Sequence, residues 1–248
     1  MKYIASPDNA KIKLIRSLGN KKARRENNLF LLEGERLVFS APAGFLKEVF
    51  IDAGKEEEYA SKASALFGEY TLVKSEVFDK IKDTETAQGI AAIAAIPAPR
   101  PVSGDVICVL DGISDPGNLG TIIRSAAAFG IYDVVAADSA DAFSPKAVRA
   151  TMGGVYFVNF VPVSYAGARE IIVSGGYRTA VMDMGGRDIY SFAPDSRIAV
   201  VIGNEAHGVS DGFTDTADEV LSIPMPGKAE SLNAAVSAAI AFSWLTHK

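Results

Sequence analysis

The stretch from Val200 to Trp244 constrains this chain more than any other, because two short apolar runs in it break off into polar, glycine-bearing loops. Residues 197–202 read as a strand buried on both faces, since Ile198-Ala199-Val200-Val201-Ile202 shows no alternation and ends abruptly in Gly203-Asn204-Glu205. Residues 219–223 repeat the pattern and leave through Pro224, Met225, Pro226 and Gly227. Ligands of open parallel sheets are met beyond the carboxyl ends of strands, so both loops are predicted to line one rim. Ser231 is predicted to cap the helix that follows, which carries Leu232, Val236 and Ile240 at i, i+4 and i+8. Between them stand Ala234, Ala235, Ala238, Ala239 and Ala241, so this helix is expected to lie close against another backbone, inside the domain or across a dimer interface.

The preceding residues supply the rest of such a sheet. A strand at 106–110, a loop at 111–120, a helix at 121–129 and a strand at 132–137 form a β-loop-α-β unit, the repeating piece of a parallel sheet. A helix from Ser144-Pro145 to Gly153-Gly154, strands at 155–158 and 179–182 and a helix at 166–173 complete it. The front of the chain reads as a smaller α/β domain. It has a basic amphipathic helix at 10–18, a strand at 29–32 and a turn at 33–35. Strands at 49–51 and 70–73 flank a helix at 55–67, and a strand at 89–96 closes the segment. Pro97, Pro99 and Pro101 mark a stiff linker, giving domains 1–96 and 105–248 joined by 97–104. The fold class is α/β: a small α/β domain, then a parallel sheet with helices on both faces.

Composition removes several function classes. The single cysteine, Cys108, lies inside a strand-like apolar run, so no disulfide forms within the chain. With only His207 and His247 beside it, a zinc site would rest on carboxylates, and no metal is expected. The N-terminus lacks an apolar core segment, and no apolar run nears the ~20 residues that span a bilayer, so a reducing, cytoplasmic location is expected. The net charge of −5 hides an asymmetry: residues 1–36 carry nine Lys/Arg against four Asp/Glu, the remainder sixteen against twenty-six. An acidic body with a basic front end meets a polyanion through that end, and Lys21, Arg24 and Arg25 are the predicted phosphate contacts. On charge alone, a solvated lysine-rich helix explains the asymmetry equally well.

The segment GNLGTIIRSAAAFG at 117–130 is neither a dinucleotide fingerprint, which needs GxGxxG, nor a P-loop, which needs GK[ST]. Asn118 and Arg124 straddle its loop-to-helix junction, where a helix N-terminus favours an anion. The structural alternative has Asn118 capping the helix and Arg124 paired with Asp111 or Asp115. Glu205 suits a general base or an acceptor for backbone N–H groups, and His207 beside it reads as a surface residue.

Together, DPGNLGTIIRSAAAFG, VVIGNEAHGVS and IPMPGKAESLNAAVSAAI resemble the three motifs of the SpoU (TrmH) family of RNA ribose 2′-O-methyltransferases, within the SPOUT class. The likeness covers residues 105–248, and EGERLV with ETAQGIAAI resembles the family's N-terminal substrate-binding domain, typical of members acting on ribosomal RNA. The resemblance implies S-adenosylmethionine as methyl donor, a deep C-terminal trefoil knot and a homodimer. It implies that Gly203, Ile223 and Leu232 bind the cofactor, with Met225 lining the pocket, and that Asn118, Arg124, Glu205, Ser231 and Asn233 form the catalytic set. SPKAVRATMGG resembles the family's stretch between motifs, bringing in Arg149. The implied function is methylation of a ribose 2′-hydroxyl in RNA, ribosomal RNA ahead of tRNA. The alternative from another class is a catalytically silent knotted RNA-binding or ribosome-assembly factor.

Overall fold

The computed structural model describes residues 2–42, 44–82, 87–194 and 196–247, so Glu85 and Thr86 of the ETAQGIAAI segment lie outside the described residues. Its first elements are β1 (Lys2–Ile4), α1 (Ala10–Ser17), α2 (Lys21–Asn27), β2 (Leu29–Glu33), α3 (Glu35–Phe39), β3 (Leu46–Asp52), α4 (Glu56–Phe67), β4 (Thr71–Val73), α5 (Ser75–Phe78) and β5 (Ile90–Ala95). They are followed by β6 (Val106–Asp111), α6 (Pro116–Ala128), β7 (Asp133–Ala137), α7 (Pro145–Thr151), β8 (Asn159–Val163), α8 (Tyr165–Ser174), β9 (Arg178–Asp188), β10 (Ile198–Gly203), α9 (Asp211–Thr214), β11 (Glu219–Ser222) and α10 (Ala234–Thr246). The chain divides into two compact units, Met1–Pro97 with Phe143–Tyr156, and Ala98–Ala142 with Phe157–Lys248.

In the first unit a five-stranded mixed sheet of order β1-β4-β3-β5-β2 is built from the apolar runs of its strands. Phe50, Ala91, Ile93 and Leu31 point to one face and pack with Ile12, Ile15 and Leu18 of the α1 segment. The basic run at 21–25 lies in α2. Asn20 caps it by accepting from the Lys22 N–H at 2.8 Å. Helix α7 belongs to this unit and not, as its position in the sequence suggests, to the C-terminal domain. The Phe143 ring meets Phe30 at 5.1 Å, the Tyr156 ring meets Phe45 at 4.9 Å, and the Tyr156 hydroxyl donates to the Leu37 carbonyl. Aromatic surface flanking α7 thus fills the unit's own core. Residues 155–158, expected as a strand, instead hold the end of a 3-10 turn at Gly154–Tyr156, and the strand begins at Asn159.

The second unit is a six-stranded sheet of order β11-β9-β10-β6-β7-β8 in which each adjacent pair is parallel. Its central strands are buried on both faces, which explains why their sequences do not alternate. Val109, Val135, Val201 and Phe213 share one core, while Cys108, Leu110, Val200 and Ile202 are buried on the other side. Burial also pushes the Cys108 thiol well above its ordinary pKa, leaving it inert. Pairing of Gly203 with Asp111 brings the exits of β10 and β6 level, so their loops share one rim. The proline-bearing segment is tied down: Arg100 exchanges backbone hydrogen bonds with the Asn159 amide, and Ser103 and Gly104 donate to Asp133.

Candidate active site

The loop after β10 is folded by its own residues. Asn204 and Gly208 exchange backbone hydrogen bonds at 2.9 Å, and Asn204 Oδ1 accepts from the Ala206 N–H at 2.8 Å. Asn204 Nδ2 reaches the Gly112 carbonyl at 2.7 Å, linking this loop to the one after β6, and Asp111 accepts from the Ser210 N–H. Gly203 is required where it stands, because a Cβ there would lie 2.2 Å from the Gly208 carbonyl carbon. The family resemblance offers Gly203 as a ligand contact, and the geometry adds that the loop closes only over a bare α-carbon.

Helix α6 starts earlier than expected. Asp115 is its cap, accepting from the Asn118 N–H at 2.9 Å, and Pro116 occupies the first turn, where a missing N–H costs nothing. The Asp-Pro pair was the signal for this start. Asn118 therefore sits in the helix's first turn with its side chain free of capping duty. At the other end of the chain, Asn233 caps α10 in place of Ser231. Its Oδ1 accepts from the Ala235 and Val236 N–H groups at 2.9 and 3.4 Å.

These starts bring three motif residues into one hydrogen-bonded chain. Asn118 Nδ2 donates to Glu205 Oε1 at 2.8 Å, Asn118 Oδ1 accepts from Asn233 Nδ2 at 3.0 Å, and Ser114 donates to Glu205 Oε2 at 3.4 Å. Partial burial alone would raise the Glu205 pKa, but the hydrogen bonds from Asn118 and Ser114 outweigh it and hold the carboxyl below its usual range. Glu205 is thus an anionic acceptor at neutral pH, a poor general base and a good anchor.

Glu205 lines a cavity of about 400 Å³ together with Gly203, Ile223, Met225, Ser231 and Leu232, so all four residues implied for cofactor binding converge there with two of the catalytic set. Asn118 and Asn233 instead line a groove of about 680 Å³ that runs along α6 and α10. The hydrogen-bonded chain therefore bridges the two concavities. Arg124 is exposed on α6 and lines neither; among the described residues it has no hydrogen bond or ion pair, so the expected alternative of pairing with Asp111 or Asp115 does not hold. Three further lining residues, Met182, Asp183 and Met184, come from β9 and are not among the site residues expected from the sequence.

In α10 the buried residues are Ala234, Ala235, Ala238, Ala241, Phe242 and Leu245, while Val236 is 47% exposed. The helix packs its alanine face on α6 and β10 and leaves the Val236 and Ile240 face along the groove. Close approach through small side chains was legible; which face approached was not.

In the first unit, the three predicted phosphate contacts separate. Lys21 and Arg25 are exposed on α2, but Arg24 is only 3% exposed and its Nη1 donates to the Leu18 and Gly19 carbonyls at 2.7 and 2.9 Å. Arg24 ties off the end of α1, whose last carbonyls lack helical partners, and is withdrawn as a phosphate contact. Arg149 lies in α7, within the first unit.

Residues 105–243 match the SpoU rRNA Methylase family, and residues 9–92 match the MRM3-like substrate binding domain. The chain belongs to the SpoU rRNA methylase family. It is 34% identical over 246 residues to the 23S rRNA (guanosine(2553)-2′-O)-methyltransferase RlmP of Bacillus subtilis (strain 168), with 97% of each chain covered. Among solved structures it is similar to the AdoMet-bound rRNA methyltransferase of Sinorhizobium meliloti, with a TM-score of 0.85, 29% identity and coverage of 98% and 96% of the two chains. It is also similar to the SpoU methyltransferase AviRb of Streptomyces viridochromogenes in complex with AdoMet, with a TM-score of 0.82, 25% identity and coverage of 96% and 97%. These three similarities extend over both units.

Proposed function

We propose that this protein is an S-adenosylmethionine-dependent methyltransferase that methylates the ribose 2′-hydroxyl of one nucleotide in ribosomal RNA. The observation that carries the reading is the chain Ser114–Glu205–Asn118–Asn233, which links the residues of three separate motifs between a cavity and an adjoining groove. The rRNA methyltransferase names of its full-length relatives support the substrate class.

The cavity suits the cofactor. Its volume of about 400 Å³ falls within the range of small-molecule sites, and its wall combines Met, Ile and Leu side chains with loop backbone, matching an adenine ring and a thioether-like chain. S-adenosylmethionine supplies a methyl group activated by its bond to a sulfonium sulfur. In-line transfer to oxygen needs alignment and stabilisation of developing alkoxide charge, and both can come from fixed side chains without a metal. In this reading Glu205 holds the Asn118 amide, Asn118 orients Asn233, and the two amides position the ribose. Arg124, two turns along α6 from Asn118, provides positive charge for the alkoxide; its guanidinium stays protonated, so it acts electrostatically and the proton leaves to solvent or an RNA phosphate. Lys21 and Arg25 are the RNA phosphate contacts retained from the sequence.

The same reading includes a homodimer, a trefoil knot in the second unit and a cytoplasmic location. The groove along α6 and α10, with Val236, Ile240 and Trp244 on its wall, supports a dimer surface, and the knot rests on the family resemblance. Among the described residues no helix is long and apolar enough to cross a membrane, which is compatible with the location.

The direct test supplies labelled S-adenosylmethionine with ribosomal RNA and tRNA from cells lacking the protein, followed by alkaline hydrolysis. A 2′-methylated nucleotide cannot cleave its own phosphodiester, so label in alkali-resistant dinucleotides of ribosomal RNA is the expected result. Label in mononucleotides would refute ribose chemistry, and label confined to tRNA would refute the substrate class.

A further inference from the structure

The wall of the cavity is electrically one-sided. Among the described residues no lysine or arginine lines it; its titratable groups are two carboxylates, Glu205 and Asp183, and His207. Glu205 is engaged through both oxygens by Asn118 and Ser114. Asp183 uses only Oδ1, which accepts from the Gly185 N–H at 3.0 Å; among the described residues Oδ2 has no partner. That oxygen is turned toward the loop after β10, since a Cβ built on Gly208 would stand 3.9 Å from it.

The position of Asp183 is set by the backbone. Strand β9 pairs with β11 through Ala180 and Val181, opposite Glu219 and Val220, and resumes with Arg187 opposite Leu221, so residues 182–186 leave the ladder as an excursion. Gly186 closes it, pressed so tightly on β11 that a Cβ would lie 2.6 Å from the Val220 backbone. The turn that Asp183 makes with Gly185 then fixes the carboxylate against the cavity. The carboxylate is exposed on the cavity wall, where a ligand can reach it, and among the described lining residues His207 is the one group able to carry a positive charge.

We propose that Asp183 is the anionic binding residue of this cavity and takes a positively charged group of the methyl donor through its free oxygen. The proposal rests on the S-adenosylmethionine reading and extends it to a residue outside the three motifs. S-adenosylmethionine carries positive charge at its sulfur and its amino group, whereas 5′-methylthioadenosine keeps the nucleoside and the thioether and has neither charge. Asp183 therefore separates the two by charge, and the apolar wall binds what they share.

The test is calorimetric titration of the full chain, wild type and Asp183→Asn, with S-adenosylmethionine, S-adenosylhomocysteine and 5′-methylthioadenosine. Asparagine keeps an acceptor for Gly185 while it removes the charge and replaces the free oxygen by an N–H donor. S-adenosylmethionine is expected to bind the variant about tenfold more weakly or worse, as for loss of a charge-assisted contact, while 5′-methylthioadenosine binds both proteins alike. Loss for S-adenosylhomocysteine as well would identify the amino group as the partner, and loss for S-adenosylmethionine alone the sulfonium; both support the proposal. Asp183→Glu, which keeps the charge, is expected to stay nearer wild type, and added salt should weaken S-adenosylmethionine binding more in wild type than in Asp183→Asn. Equal loss for 5′-methylthioadenosine, or no loss for any ligand, would overturn the assignment while leaving the cofactor reading standing. A wild-type protein that bound none of the three would overturn both.

Discussion

Asn118 Nδ2 lies 2.8 Å from Glu205 Oε1, across 87 residues of chain, and this bond decides which way the Asn118 amide faces. With Nδ2 committed to the carboxylate, Oδ1 is left to accept from Asn233. Removing either partner should release the same amide. Glu205→Ala and Asn118→Ala are each expected to lower methyl transfer by about 10²-fold, on the scale of losing one preorganised polar group. The double variant should lose little more than either single one, because the residues act as a unit. Single-turnover rates at saturating S-adenosylmethionine give the cycle; additive losses would separate their roles.

Among the described residues Arg124 has no partner to lose, so replacing it should cost the fold under about 0.5 kcal/mol. Arg124→Ala is expected to abolish methyl transfer with an unchanged unfolding midpoint, and Arg124→Lys to retain part of the rate because it keeps the charge. Complete loss in both would point to a geometric demand that only guanidinium meets.

Gly203 leaves no space for a methyl group against Gly208. Gly203→Ala must open the loop after β10 and is expected to destabilise the protein by about 1–3 kcal/mol, the usual range for overpacking, with a marked loss of S-adenosylmethionine affinity. Thermal unfolding and calorimetry read the two effects separately. A stable variant with normal affinity would show that the loop closes some other way.

Arg24 and its neighbours on α2 should part company under substitution. Arg24→Ala removes charged hydrogen bonds to two carbonyls and is expected to cost about 1.5–3 kcal/mol of stability. Neutralising Lys21 and Arg25 together should leave stability nearly unchanged and flatten the dependence of RNA affinity on salt by about two ions. Filter-binding titrations across a salt series check this, and an unchanged slope would remove both residues from the RNA surface.

Asp133 gives an acid-sensitive element. Burial raises its pKa, but hydrogen bonds from Asn159, Ser103 and Gly104 outweigh that and hold the carboxyl below its ordinary value. A pKa lower in the folded than the unfolded chain means that the charged form is favoured by folding. Its contribution is complete above the unfolded value of about 3.9 and is lost as pH falls through the lower folded value. Asp133→Asn, whose amide would face the Asn159 amide, is expected to be less stable by about 1–3 kcal/mol at pH 7 and to lose less on acidification. Urea unfolding at several pH values between neutrality and acid tests both parts.

Much of the second unit could be read from local pattern. The β-branched runs of β6 and β10 and the Gly-Asn-Glu break are short-range signals of a strand buried on both faces with a loop at its end, and they coincide with the observed strands within a residue or two. Most motif residues were legible for the same reason, since Asn118, Gly203, Glu205, Ile223 and Asn233 stand at strand exits or helix starts, whereas Arg124 lies within α6. Helix starts were misread where two capping residues competed: Asp115 and Asn233 took the role in α6 and α10, and this freed the side chain of Asn118. In the first unit, a basic run gave no hint that Arg24 turns inward, because the carbonyls it meets at the end of α1 come into reach only when α1 and α2 fold against each other.

Local chemistry along the chain was thus enough to specify an α/β architecture, the rim on which the loops meet and the residues from which a site would be built. What required the folded molecule was every relationship set by register and packing: the amide of Asn118 shared between Glu205 and Asn233, the alanine face of α10 turned inward, α7 and its flanking residues drawn into the first unit, and the excursion of β9 that brings Asp183 to the cavity. Strand and helix propensities act over a few residues, whereas these contacts join positions tens of residues apart whose free energies depend on which surfaces remain to be buried once the sheet has formed.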